Sequence, residues 1–129
     1  MTAADLSFAT PDLHMRLAQL ATDDLDRLDF GVIGFDDGTN VCRYNRTESE
    51  AAGLTPPRVL GQPLFTNVAP CLNNFMVAQR FEDAQDDGTT LDDTIDYVLT
   101  LRMRPVKVAL RLLAAPDTPV RYVLVQRKA

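Results

Sequence analysis

A chain of 129 residues, 46% hydrophobic and 24% charged, is long enough to bury one core and suggests no second domain. Its net charge of −5 is spread without a long run of one sign, which argues against a nucleic-acid partner. No stretch approaches the ~18 consecutive apolar residues of a membrane span, and Met1-Thr2-Ala3-Ala4-Asp5 opens no basic-then-apolar leader, so a cytoplasmic protein with no membrane contact is expected.

Residues 12 to 28 have helical spacing, with Leu13, Leu17 and Leu20 on one side. Thr22-Asp23-Asp24 interrupts them and is expected to cap a second short helix, Leu25 to Leu28. The apolar run Phe30 to Phe35, the turn Asp36-Asp37-Gly38-Thr39-Asn40 and the run Val41 to Tyr44 predict a hairpin. Thr55-Pro56-Pro57 places a cap and a first-turn proline before Arg58-Val59-Leu60, and Gly61 can end that helix. The spacing from Asn74 to Gln85 predicts a longer helix with Phe75, Ala78 and Phe81 on one side and Gly88 past its end. Phe75, Met76 and Phe81 are read as its core face.

From Thr94 the period becomes two. Ile95, Tyr97, Leu99, Leu101 and Met103 point one way, and Asp96, Thr100 and Arg102 the other. Pro105 breaks the strand, and Val106, Val108, Leu110 and Leu112 begin a second alternation. A turn at Ala115 to Pro119 precedes a last strand, Val120 to Gln126. Arg102, Arg104, Lys107 and Arg111 alternate with apolar residues and read as the solvated face of these strands. The expected fold class is α+β, an antiparallel sheet of about five strands with helices over one face.

Two cysteines and one histidine cannot complete a four-ligand zinc site, so no metal is expected. With no secretory signal, reduced thiols are favoured over a disulfide. Cys42 stands two residues before Tyr44 and is read as core on the same strand face. His14 is read as a solvated helix residue. Cys71 differs, because a thiol can hold a ligand covalently while a phenol and a carboxyl four residues apart, Tyr44 and Glu48, hydrogen-bond its polar end.

The landmarks Leu28-Asp29-Phe30-Gly31, Tyr44-Asn45, Glu48, Val59-Leu60-Gly61, Val68-Ala69-Pro70-Cys71, and Met103 two residues before Pro105 resemble the photoactive yellow protein family, a branch of the PAS fold. They keep near-constant spacing over roughly residues 12 to 127, with one inserted residue between Cys71 and Pro105. The resemblance implies an N-terminal helical cap over residues 1 to 28 and a PAS domain over 29 to 129. It also implies a blue-light receptor, not an enzyme, carrying 4-hydroxycinnamic (p-coumaric) acid as a thioester on Cys71.

By the same resemblance, Tyr44 and Glu48 would hydrogen-bond the phenolic oxygen, and the Cys71 N–H would face the thioester carbonyl. Ile33, Val68, Ala69, Pro70, Leu99, Leu101 and Met103 would line the pocket. Signalling would pass to an unknown downstream protein from a monomer or weak homodimer. This chain departs from the family at Ala52, where threonine is common, and at Leu54, where arginine is common. Leu99 and Leu101 also stand where aromatic residues are frequent.

A buried phenolate must regain hydrogen bonds from donors, and Glu48 can donate only while protonated. Burial and a neighbouring anion both raise a carboxyl pKa. The expected light response is loss of the Glu48 proton, which strands a buried carboxylate and loosens the N-terminal helices. The alternative is a PAS-type ligand-binding or interaction module without pigment. A cysteine enzyme would need a base beside Cys71, for which His14 is poorly placed. The surroundings of Cys71 also lack the Asn-Cys-Arg-Phe signature of flavin-binding PAS sensors.

Overall fold

A computed structural model describes residues 6–100 and 105–127. Leu101, Arg102, Met103 and Arg104 therefore lie outside the described residues. The chain builds strands β1 (Gly31–Phe35), β2 (Val41–Tyr44), β3 (Leu91–Leu99), β4 (Val106–Ala114) and β5 (Arg121–Arg127). They form one antiparallel sheet in the order β2-β1-β5-β4-β3. The helices are α1 (Leu13–Ala18), α2 (Thr22–Leu25), α3 (Arg46–Ala52), α4 (Pro56–Val59) and α5 (Ala78–Asp87).

Period-two alternation gives the sheet two apolar faces. On β5, Val123 and Val125 join one buried cluster, while Tyr122 and Leu124 join another. The first cluster takes in Val59 of α4 and Phe81 and Ala84 of α5. The second packs beneath Leu13 and Leu17 of α1 and Leu25 of α2. Helices thus cover both faces, not one, because both sets of β5 side chains are apolar and each needs a cover.

Several local readings change in three dimensions. Phe35 pairs with Val41 and Gly34 with Arg43, so Cys42 is an extra residue in a bulge. The bulge resets the alternation: Val41 and Tyr44 turn inward, and Cys42, expected in the core, is exposed. The second helix begins at Thr22, and Thr22-Asp23-Asp24 forms its first turn instead of capping it. The longer helix begins at Ala78, since the Asn74 side-chain oxygen accepts from the N–H groups of Met76 (3.0 Å) and Val77 (3.2 Å) and holds them in a turn. Phe75, expected in the core, is therefore 80% exposed and Met76 37%, while Val77 is fully buried.

Polar side chains fasten the N-terminal helices to the sheet. Arg111, expected in solvent, is buried on β4. It pairs with Asp92 through Nε (2.8 Å) and Nη2 (2.9 Å) and donates from Nη1 to the carbonyls of Phe8 and Thr10. Arg43 donates to the Leu17 and Leu20 carbonyls at the other end of α1 and to the Tyr122 hydroxyl. His14 is not simply solvated, because its Nε2 lies 2.8 Å from the Val120 carbonyl oxygen and its ring stands edge-on to Tyr122.

Candidate functional site

The segment from Tyr44 to Glu48 is shaped by Asn45, which is completely buried between them. Its side-chain oxygen accepts from the Glu48 N–H (3.1 Å), capping α3, and from the Val32 N–H (2.9 Å). Its amide nitrogen donates to the carbonyls of Leu25 (2.9 Å) and Phe30 (3.0 Å). One side chain thus joins the start of α3 to β1 and to the end of α2. Thr47 adds a bond to the Leu28 carbonyl, and Asp26 accepts from the Arg46 N–H.

This start of α3 puts Glu48 in its first turn but turns the carboxyl inward, where the residue is 1% exposed. Gly31 makes the room: a Cβ there would lie 2.2 Å from Glu48 Oε1. Arg127, at the end of β5, meets the carboxylate with two nitrogens, Nη1 to Oε1 at 2.9 Å and Nη2 to Oε2 at 3.2 Å. Burial still holds the Glu48 pKa above the ordinary carboxyl range, opposed by Arg127. The carboxylate carries most of the desolvation because the Arg127 side chain keeps 26% exposure and that of Glu48 only 2%.

Tyr44 sits opposite Ile33 at the end of β2 and is buried. Burial raises its pKa, the Glu48 charge adds to the rise and Arg127 opposes it. No described residue hydrogen-bonds its hydroxyl.

Cys71 arrives from a different part of the chain. Pro63 starts a wide turn, Leu64–Val68, closed by bonds from the Val68 N–H to the Pro63 carbonyl and from the Ala69 N–H to the Leu64 carbonyl. The tight turn Pro70–Leu72 follows and holds Cys71 half-buried. The Tyr97 hydroxyl donates to the Cys71 carbonyl at 2.5 Å, and Asn74 Nδ2 lies 3.3 Å from the same oxygen and 2.6 Å from the Tyr97 hydroxyl. Among the described residues the Cys71 N–H has no acceptor.

Ile33, Tyr44, Val68, Ala69 and Leu99 share one core cluster, and Cys71 and Leu54 pack against it. Ala52 is buried at the end of α3, whereas Pro70 is exposed. Leu101 and Met103 lie outside the described residues. The donor set suits an aromatic acid held as a thioester: a half-buried thiol, with an N–H and a buried phenol hydroxyl that have no hydrogen-bond partner among the described residues. Glu48 suits it only in part, since Arg127 occupies both of its oxygens.

Sequence reasoning missed Arg127, Asn45, Gly31 and Tyr97 as members of this neighbourhood. Arg127 had a signal, because it continues the inward series Val123 and Val125 by two residues. Asn45 had one too, as a capping residue directly before α3. Gly31 was noted only as part of a landmark and Tyr97 only as an inward strand position, because the roles of both depend on long-range neighbours.

The fold is that of a PAS domain. It superposes on the PAS domain of the RpfR quorum-sensing receptor of Cronobacter turicensis with a TM-score of 0.61, over 78% of this chain and 95% of that one at 17% identity. A nearer likeness is the photoactive yellow protein domain of the sensor histidine kinase Ppr from Rhodospirillum centenum, with 36% identity and a TM-score of 0.80 over 88% of this chain and 98% of that one. The photoactive yellow protein of Halochromatium salexigens is 31% identical over 120 residues, 93% of this chain and 95% of that protein. No profile of a known protein family matches the sequence. The chain belongs to the photoactive yellow protein family, of which it is a divergent member. Among the described residues no helix is long and apolar enough to cross a membrane.

Proposed function

We propose that this protein is a cytoplasmic blue-light receptor without catalytic turnover, carrying 4-hydroxycinnamic acid as a thioester on Cys71. One observation carries the reading: buried Tyr44, whose hydroxyl no described residue engages, belongs to the core cluster against which Cys71 packs. Family membership supports it.

The bound acid would supply light absorption and a double bond that isomerises. Everything else falls to the chain. Cys71 Sγ attacks the acyl carbon of an activated ester, forming the thioester as the activating group leaves and the thiol proton passes to solvent. The Cys71 N–H and the Tyr44 O–H donate to the two polar ends of the pocket. Glu48, whose pKa burial raises, adds a second donor beside Tyr44 while protonated and gives that proton up in the light. Ile33, Val68, Ala69 and Leu99 exclude water between the two ends, and Leu54 makes the mouth apolar.

Incubation of the apoprotein with activated 4-hydroxycinnamic acid tests the reading. The expected result is a visible absorption band and a mass increase, both abolished by Cys71→Ala. A protein that stays colourless and unmodified is not this kind of receptor. The second reading, a PAS-type binding or interaction module without pigment, draws on the Glu48–Arg127 pair, which already satisfies the carboxylate. A downstream signalling protein is the expected partner of either.

A further inference from the structure

The light response read from sequence ends with a buried carboxylate that has no partner. The structure supplies a partner in Arg127, which grips both Glu48 oxygens from the far end of β5. The two residues are 79 positions apart, so the pair joins α3 to the end of β5. Asymmetric burial makes the pair sensitive to a proton, since a neutral carboxyl loses its charge-assisted bonds to the guanidinium while Arg127 has solvent to turn to. The groups acting on Glu48 among the described residues are few: Arg127 from β5, Tyr44 from β2, and from β1 only the side-chain-free Gly31.

We infer that Arg127 is the exchange partner of Glu48, gripping the ionised carboxylate and releasing the neutral one, so that the end of β5 is fastened or loosened with the protonation of Glu48. The exchange belongs to the apoprotein and needs no pigment. Its use in signalling rests on the receptor reading. There, pigment loading requires a protonated Glu48 to leave Arg127 and donate into the pocket, and the light-driven loss of that proton returns the carboxylate to Arg127. In that event Glu48 would pass its proton to the bound acid's phenolic oxygen, and the negative charge left on the carboxylate would be balanced by Arg127. Light would therefore tighten the end of β5 as it loosens the pocket. The end of β5 is where a downstream partner would sense the change.

The test begins with the apoprotein and nuclear magnetic resonance. The Glu48 side-chain carboxyl carbon and the Arg127 guanidinium nitrogens should titrate with one midpoint, and Glu48→Gln and Glu48→Leu should each lower hydrogen-exchange protection of the Gln126 and Arg127 amides about tenfold. Arg127→Gln should lower it by the same factor, with no further loss when combined with Glu48→Leu. Separate midpoints, or β5 protection unchanged in both Glu48 variants, would overturn the inference, whatever happens to the pigment. Conversely, failure of 4-hydroxycinnamic acid to attach to Cys71 counts against the receptor reading and leaves the apoprotein result standing. In pigmented protein, Arg127→Gln should keep the mass increase at Cys71 but lose the light-dependent change in protection at the end of β5.

Discussion

Gly31 and Glu48 compete for one space: a Cβ built on Gly31 lies 2.2 Å from Glu48 Oε1 and 3.2 Å from Glu48 Cβ. β1 and α3 are separated in sequence by the hairpin turn and β2, yet a single hydrogen atom in place of a side chain at position 31 lets a buried carboxyl lie against the strand. Gly31→Ala is expected to cost about 1–3 kcal/mol of stability, the usual range for overpacking a filled interior. Glu48→Ala should recover part of that cost in the double variant, because it removes the obstructing atoms. Denaturant melts of the four proteins read the coupling, and strictly additive losses would show that the two residues do not share the space.

Asn45 uses all its hydrogen-bonding groups on four backbone partners while completely buried. Asn45→Ala removes an N-cap and leaves the Val32 N–H and the Leu25 and Phe30 carbonyls short of a partner. A loss of about 2–4 kcal/mol is expected by thermal or urea unfolding. Hydrogen exchange should also show faster opening of both the start of α3 and the end of α2, since one side chain holds both.

Two apolar residues that look alike in sequence should behave oppositely. Phe35 is completely buried, with edge contacts to Phe65 (5.5 Å) and Phe81 (4.9 Å). Phe35→Ala should cost about 3–5 kcal/mol. Phe75 is 80% exposed, so Phe75→Ser should change stability by less than about 0.5 kcal/mol. Equal unfolding midpoints for the two variants would contradict this placement.

Glu48 and Asp92 should drive stability in opposite directions with pH. The Glu48 pKa is raised in the folded state, so its stabilising effect is complete below the ordinary carboxyl range and is lost as pH rises through the raised value. Glu48→Gln should therefore gain stability relative to wild type over that rise. The Asp92 pKa is lowered, chiefly by its hydrogen bonds from Arg111, so its effect is present above the ordinary range and is lost as pH falls through the lowered value. The deficit of Arg111→Gln should shrink on acidification. Melting temperatures across pH 3 to 8, roughly the range spanning ordinary carboxyl titration, distinguish these signs.

Arg111 also reaches the carbonyls of Phe8 and Thr10. Arg111→Gln should expose residues 6 to 10 to limited proteolysis in the otherwise folded protein. A cleavage pattern identical to wild type would show that the ion pair does not fasten this segment.

The hairpin, the alternation of the three later strands and the helix stop at Gly88 were legible because each depends on neighbours within a few residues, whereas α4 ends at Val59 with Leu60 as its cap, before Gly61. Tyr44, Glu48 and Cys71 were singled out only as a set, through spacing that resembles that of a family. Cys42 and Phe75 misled for a shared reason. Hydrophobic periodicity assumes an unbroken period, and a bulge at Cys42 and an Asn74-capped turn reset it.

By itself the sequence determined the α+β fold class and the residue types available to a site, since pattern and composition act locally. Only the tertiary structure decided which charges meet. Arg127 reaches Glu48 across 79 positions and Arg111 reaches Phe8 across 103, and Gly31 makes room for a side chain on another element. Such pairings follow from strand order and register, which the whole chain sets by burying both faces of its sheet at once. That is why the ionisation of Glu48 could not be read from Glu48 and its sequence neighbours alone.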